Sequence, residues 1–342
     1  MIKRVLAALA LAVMAMSPAP ARAQTPAEMQ ASLADIGTWM QEYQAVMAFA
    51  NEPFMTMESF YAALDGFADG SMSARRARRA IEQWNERAIA SMDQARAGAR
   101  ALREPPHLSG YGPDGAALEA VLVATRDNMG PTLDEMERVI ETSVALGLGS
   151  LDDRAKGIEA RERAFYNASI QLTMVDRGRI DISAAMIPSD NPNHALMVAT
   201  QHYYDSVIIM PRYALETLDG GGDRQALIAS LRQSARSLRA ELARGRVLVE
   251  QIQVQAREMQ AGPGVELGRL MLRMVATFPQ SFAAYEGLAV GIDDAVVALE
   301  NGADVRDVWA QQEMNDRPHL DEIDRIERVR AAMLAENQRR PL

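Results

Sequence analysis

Two stretches of this chain carry an apolar seam that repeats every seven residues. Ala77, Ile81, Trp84, Ala88, Ser91, Ala95, Gly98 and Leu102 succeed one another at alternating steps of four and three. Leu227, Leu231, Ser234, Leu238, Leu242, Gly245, Val249, Ile252, Ala256 and Met259 do the same, with one slip in register. Such steps align side chains on one face of an α-helix and on no face of a strand. The small residues within the seams let a neighbouring helix approach closely. At 1.5 Å per residue the second seam runs for about 50 Å, a length that suits elongated antiparallel bundles.

The rest of the chain agrees with this. No segment joins sustained alternation to β-branched enrichment, and Ala, Leu, Met, Glu, Gln and Arg, all strong helix formers, dominate. A set of marks also recurs in order. "VMA" begins at Val46 and "VAT" at Val123, Val198 and Val275, at intervals of 77, 75 and 77 residues. After each come a proline (Pro53, Pro131, Pro211, Pro279), an Ala-Leu pair, a glycine turn and a charged segment. The expectation is an all-α chain of roughly eight long helices. They would form four helix-hairpin repeats of about 76 residues, in one continuous array or as two four-helix bundles in tandem. Coincidence among eight similar helices would produce the same marks, and the all-α reading holds either way. The boundary is expected in "IPSDNPN" (Ile187–Asn193), dividing the mature chain into bundles at 24–190 and 191–342. Asn51-Glu52-Pro53 predicts a helix break with Thr56 capping the next helical segment, and Pro211 a kink.

The N-terminus reads as a secretory signal peptide over residues 1–23. Lys3 and Arg4 precede the apolar run Val5–Met16, and Ala21-Arg22-Ala23 offers a small-x-small cleavage site. Twelve apolar residues are short of the roughly 20 that span a bilayer, so no transmembrane segment is expected after cleavage. The expected destination is the periplasm or the medium. Cysteine is absent, which rules out disulfides and covalent haem or lipid attachment through a thiol. Loss of Lys3, Arg4 and Arg22 takes the formal net charge from −10 to −13, a poor match for nucleic acid.

One stretch concentrates polar chemistry among apolar neighbours. In "MVATQHYYDS" (Met197–Ser206), His202 stands three residues before Asp205 and four before Ser206, so one helical face presents all three, and Tyr203 and Tyr204 add hydroxyls. Two readings are open: a buried pair that fixes the register of the bundle, or a pocket for a small ligand, haem or copper. Zinc and di-iron sites are not expected. His107, His194, His202 and His319 form no i,i+4 pair, and the one Glu-x-x-His, "EPPH", contains two prolines. "MTM" (Met55–Met57) and "MLRM" (Met271–Met274) resemble thioether pairs for cuprous copper, but thioethers also fill helical cores. No nucleophile motif or nucleotide loop occurs, so neither a catalytic residue nor a cofactor is expected. "DGGGD" reads as a helix end, a turn and a new N-cap at Asp223. Finally, "SARRARRA" sets Arg75, Arg76, Arg78 and Arg79 at a helix start, opposed to the helix dipole. It reads as a solvated face, or as an interaction patch for an envelope protein or an anionic envelope component such as phospholipid head groups or lipopolysaccharide. The function expected from all this is non-catalytic binding or scaffolding in a bacterial cell envelope, with a small-ligand carrier as the alternative.

Overall fold

The structure, a computed structural model, describes residues 26–109, 113–260 and 265–338. The expected signal peptide lies outside the described residues, as do parts of the linkers at 110–112 and 261–264. The described chain is all-α, with no strand among the described residues. Its helices are α1 (Pro26–Met55), α2 (Glu58–Ala68), α3 (Ala74–Ala101), α4 (Pro113–Asp127), α5 (Met129–Gly149), α6 (Arg154–Met186), α7 (Pro192–Leu218), α8 (Arg224–Gln260), α9 (Val265–Val275), α10 (Phe278–Glu300) and α11 (Val305–Gln338).

Three junctions between these helices are bends, not reversals. The residues that open α2, α5 and α10 keep right-handed helical backbone: Met57 at φ −66° and ψ −15°, Asn128 at −79° and −7°, Thr277 at −86° and −18°. The segments α1–α2, α4–α5 and α9–α10 are therefore bent rods, and with the five other helices they make eight. α7 passes through Pro211 unbroken, as does α11 through Pro318. Near Pro53 the break falls later than the sequence suggests. α1 continues to Met55, and Thr56 caps nothing: its hydroxyl sits 2.9 Å from Glu52 O and 3.2 Å from Pro53 O, within the bend. Proline 53 has no N–H to give Phe49 O, four residues back. Ser91 of α3 supplies the missing donor. Its Oγ lies 2.9 Å from Phe49 O and 2.7 Å from Glu52 Oε2, so one proton is shared between them.

The heptad seams follow the buried faces of α3 and α8, except that the second seam comes out of the core toward its end, where Ile252 is half-buried and Met259 exposed. Their glycines mark close approaches. A Cβ at Gly98 would lie 2.9 Å from Val46 Cγ2, and one at Gly245 would lie 2.9 Å from the Phe282 ring. Glycine turns at Gly70, Gly220, Gly222 and Gly302 take positive φ where helices end, a conformation that costs glycine nothing. Asp223 caps α8, its Oδ1 accepting the N–H groups of Gln225 at 2.9 Å and Ala226 at 3.1 Å.

Packing divides the chain into two compact units. An N-terminal unit runs to Asp176 and includes Ala214–Gly221; a C-terminal unit comprises Arg177–Tyr213 and the chain from Gly222 onward. Ile187–Asn193 joins α6 to α7 within the C-terminal unit. No helix among the described residues is long and apolar enough to cross a membrane.

Candidate functional site

The Met197–Ser206 stretch lies in α7, and from Asn191 to Pro211 no residue of this segment is fully exposed. Its polar groups nevertheless part company. Tyr203 turns inward, 5% exposed, and hydrogen-bonds Asp316 of α11. Thr200 meets the Tyr285 hydroxyl at 2.7 Å, and Ser206 Oγ donates to Tyr203 O at 2.6 Å. His202 and Asp205 lie on the flank, with side chains 31% and 41% exposed. Their closest approach, Nδ1 to Oδ2, is 3.9 Å, too long for a hydrogen bond. The Asp205 carboxylate is instead engaged by Arg177, whose Nε donates at 2.9 Å. Tyr204 packs against the small cluster of Ile180, Ala184, Ile187 and Met197. His202, Tyr203, Tyr204 and Asp205 thus share a helix and divide between its buried face and its flank, with the Tyr203 and Tyr204 rings 5.8 Å apart.

The carboxylate that meets Tyr203 is one that sequence reasoning missed. Asp316 is 1% exposed, and its Oδ1 has no hydrogen-bond partner. Gln312, one turn earlier, donates from Nε2 to Asp316 Oδ2 at 3.2 Å and leaves its own Oε1 unpaired. Burial pushes the Asp316 carboxyl up to about 6, with Glu313 adding to the rise while bonds from Gln312 and Tyr203 oppose it. Burial likewise raises the Tyr203 hydroxyl, and Asp316 raises it further, so Tyr203 is the donor of the pair. α10 accommodates this group with two glycines a turn apart. A Cβ at Gly291 would overlap Asp316 Oδ1, and one at Gly287 would overlap the His319 ring. The signal was present in the sequence as Gly287-x-x-x-Gly291 on one helix and Asp316-x-x-His319 on another. Neither spacing says that the two helices are neighbours.

Arg330 is the second charge inside this unit and is fully buried. Nε donates to Thr277 Oγ1 at 2.7 Å, one terminal nitrogen to Ser281 Oγ at 2.8 Å, and the other to Glu327 at 2.9 Å. The guanidinium carbon stands 4.2 Å from the centroid of the Phe278 ring. Because Thr277 is the bend between α9 and α10, Arg330 holds that bend from inside.

The histidines stay apart. His194 accepts from Arg244 at 2.7 Å, and burial together with that cation lowers its basicity. His107 pairs with Glu119 at 3.0 Å and is raised by it. Among the described residues no group of three or more His, Asp or Glu side chains is placed to hold a metal ion.

Arg75, Arg76, Arg78 and Arg79 open α3 and are all exposed. At 100° per residue they fan across about 160° of the helix, opposite the fully buried Ala77. None of their side chains makes a hydrogen bond or ion pair among the described residues, although Ser73 caps the helix by accepting the Arg76 N–H. Other arginines of the same unit are engaged: Arg96 with Asp134 and Glu137, Arg103 with Glu42, Arg126 with Glu104, Arg163 with Glu159 and Asp219.

No family model matches this chain, and neither a curated protein nor a solved structure matches it.

Proposed function

We propose that this is an exported, non-catalytic binding protein of the bacterial cell envelope, built by duplicating a helix hairpin, that holds an anionic partner on Arg75, Arg76, Arg78 and Arg79. The observation that carries this is the unneutralised state of the four cations. Each is exposed to solvent on an otherwise acidic chain. Their repulsion from one another and from the helix dipole is unrelieved within the fold, and an anion would relieve it. The leader-like N-terminus supports the compartment. The test is binding of soluble polyglutamate to the mature chain and to the Arg75→Glu, Arg76→Glu, Arg78→Glu, Arg79→Glu variant, with helicity checked by circular dichroism. Loss of binding in a folded variant is expected; equal binding overturns the assignment.

A second reading is a carrier of a small ligand, haem or copper centred on His202 and Asp205. It rests on the partial exposure of both side chains and on a His202 ring that makes no hydrogen bond among the described residues. Visible absorption and metal content of protein from the native exported fraction test it. A colourless, metal-free preparation removes haem and copper.

A further inference from the structure

The four arginines are part of a larger basic surface. α2 ends at Ala68, the chain turns through Gly70 at φ +82°, and α3 starts at Ala74. α6 begins against the same turn. The Arg154 guanidinium lies over Gly70, where a Cβ would sit 2.9 Å from one of its nitrogens. Gly157 comes next, against Phe67, and Arg161 reaches Asp65 at 3.3 Å. These contacts run α6 antiparallel to α2 and bring the N-termini of α3 and α6 to one end of the N-terminal unit. Arg154, exposed, near Asp69 but within salt-bridge distance of no carboxylate among the described residues, thereby joins Arg75, Arg76, Arg78 and Arg79, though it lies far from them in sequence.

The carboxylates at this end are already engaged. Asp69 accepts the Ser71 N–H at 2.7 Å, which together with Arg154 holds it below the usual carboxylate range. Asp153 accepts the Ala155 N–H at 2.9 Å, and Asp152 pairs with Lys156 at 3.2 Å. Glu82 and Glu86 stand farther along α3. The five arginines exceed the local negative charge.

The exposed side chains at this end point to its occupant. A protein partner is held through a desolvated apolar or aromatic centre. Here Phe60, Phe67 and Trp84 are all buried beneath the turn. Ile158 is exposed one turn from Arg154 on the same face of α6. Guanidinium groups fanned across the exposed start of a helix match many phosphates in a plane better than one phosphate in a pocket. A basic rim beside an exposed aliphatic side chain is the pattern that seats a protein on an anionic bilayer.

Building on the anion-binding reading above, we infer that the end formed by Arg75, Arg76, Arg78, Arg79 and Arg154 docks on a membrane surface of anionic phospholipid. The test is co-sedimentation of the full mature chain with phosphatidylcholine vesicles, with and without phosphatidylglycerol, at low and high salt. Binding is expected with phosphatidylglycerol alone and is expected to fall with salt. Each neutralised arginine costs about fivefold in partitioning, so Arg154→Gln lowers it about fivefold and the quadruple Arg→Gln variant at 75, 76, 78 and 79 by more than about a hundredfold. Arg154 makes no bond on which the fold depends, so its variant remains informative if the quadruple one misfolds. Polyglutamate binding without vesicle binding overturns the membrane proposal and leaves the anion-binding reading intact. Failure to bind either overturns both. Vesicle binding insensitive to Arg154→Gln overturns the joint surface.

Discussion

The two units bury different things. In the N-terminal unit the interior is rich in aromatics, with Trp84 and Phe60 at 5.1 Å between ring centroids and Trp39 stacked on Tyr43 at 5.7 Å, and its buried polar side chains, Ser91, Ser143, Ser150 and Gln171, are uncharged. Its charged side chains are at least partly exposed among the described residues, in pairs such as Arg96 with Asp134 and at Arg161, which lies against the rings of both Tyr61 and Phe165. The C-terminal unit buries Arg330 and Asp316 together with Thr200, Ser206, Thr277, Ser281 and Gln312. An apolar core tolerates small shifts in register, whereas a buried charge accepts one arrangement of partners. Each unit is therefore vulnerable, and free, in a different place. The N-terminal core holds no buried charge among the described residues, and unpaired cations stand at one of its helix ends, while the C-terminal core commits Arg330 and Asp316 to holding its own helices.

The strongest contrast between the units is expected from Arg330→Met. It leaves Glu327, Thr277 and Ser281 without their partner at the α9–α10 bend and should cost about 3–5 kcal/mol in denaturant unfolding. The corresponding change at Arg96, a third exposed, should cost about 1 kcal/mol or less. Equal losses at the two positions would erase the distinction between the units.

Asp316→Asn comes next and should stabilise. The folded-state value of about 6 lies above the ordinary 3.8, so the proton is bound more tightly in the folded state. Asp316 therefore contributes fully below the ordinary value, and its contribution is lost as pH rises through about 6. At about pH 8 the ionised, half-partnered carboxylate costs about 3 kcal/mol, which asparagine avoids; at about pH 4 the two proteins should be nearly equal. Urea midpoints across that range are the measurement, and a pH-independent difference would show that Asp316 does not titrate inside the fold.

Ser91→Ala tests the N-terminal unit at a buried polar joint between two helices. The bend after Pro53 then leaves Phe49 O without its donor, at a cost of about 1–3 kcal/mol measured by thermal unfolding. Smallest of all, neutralising Arg75, Arg76, Arg78 and Arg79 to glutamine should leave the unfolding midpoint unchanged or slightly raised, because nothing in the fold pairs with them and the helix dipole opposes them. A marked loss of stability would mean that the patch is structural after all.

Much of the helical scaffold is legible along the chain. The seam from Ala77 to Leu102 names the buried face of α3, the Asp223 cap is where the glycine turn puts it, and the all-α class comes from periodicity and propensity. The bend after Pro53 is half-legible. Proline announces the lost hydrogen bond, but whether the helix stops or bends depends on Ser91, a residue of another helix that repairs it. The site is legible in part. "SARRARRA" is visible as a cluster, whereas its freedom from ion pairs is a fact of the surface. In "QHYYD" the residue types are right, but helical spacing cannot tell the flank that exposes His202 and Asp205 from the face that sends Tyr203 to Asp316.

By itself the sequence determined helix periods, seam faces, caps and turns, because these depend on neighbours within about a turn and on the intrinsic preferences of each residue. Tertiary structure decided which charges meet. Asp316 lies against Gly291, Arg330 reaches Thr277, and Arg154 comes to the turn before Arg75 because helices far apart in sequence pack side by side. The strength of an ionic or hydrogen-bonded contact depends on distance and on exclusion of water, neither of which is written in the spacing of residues along one helix.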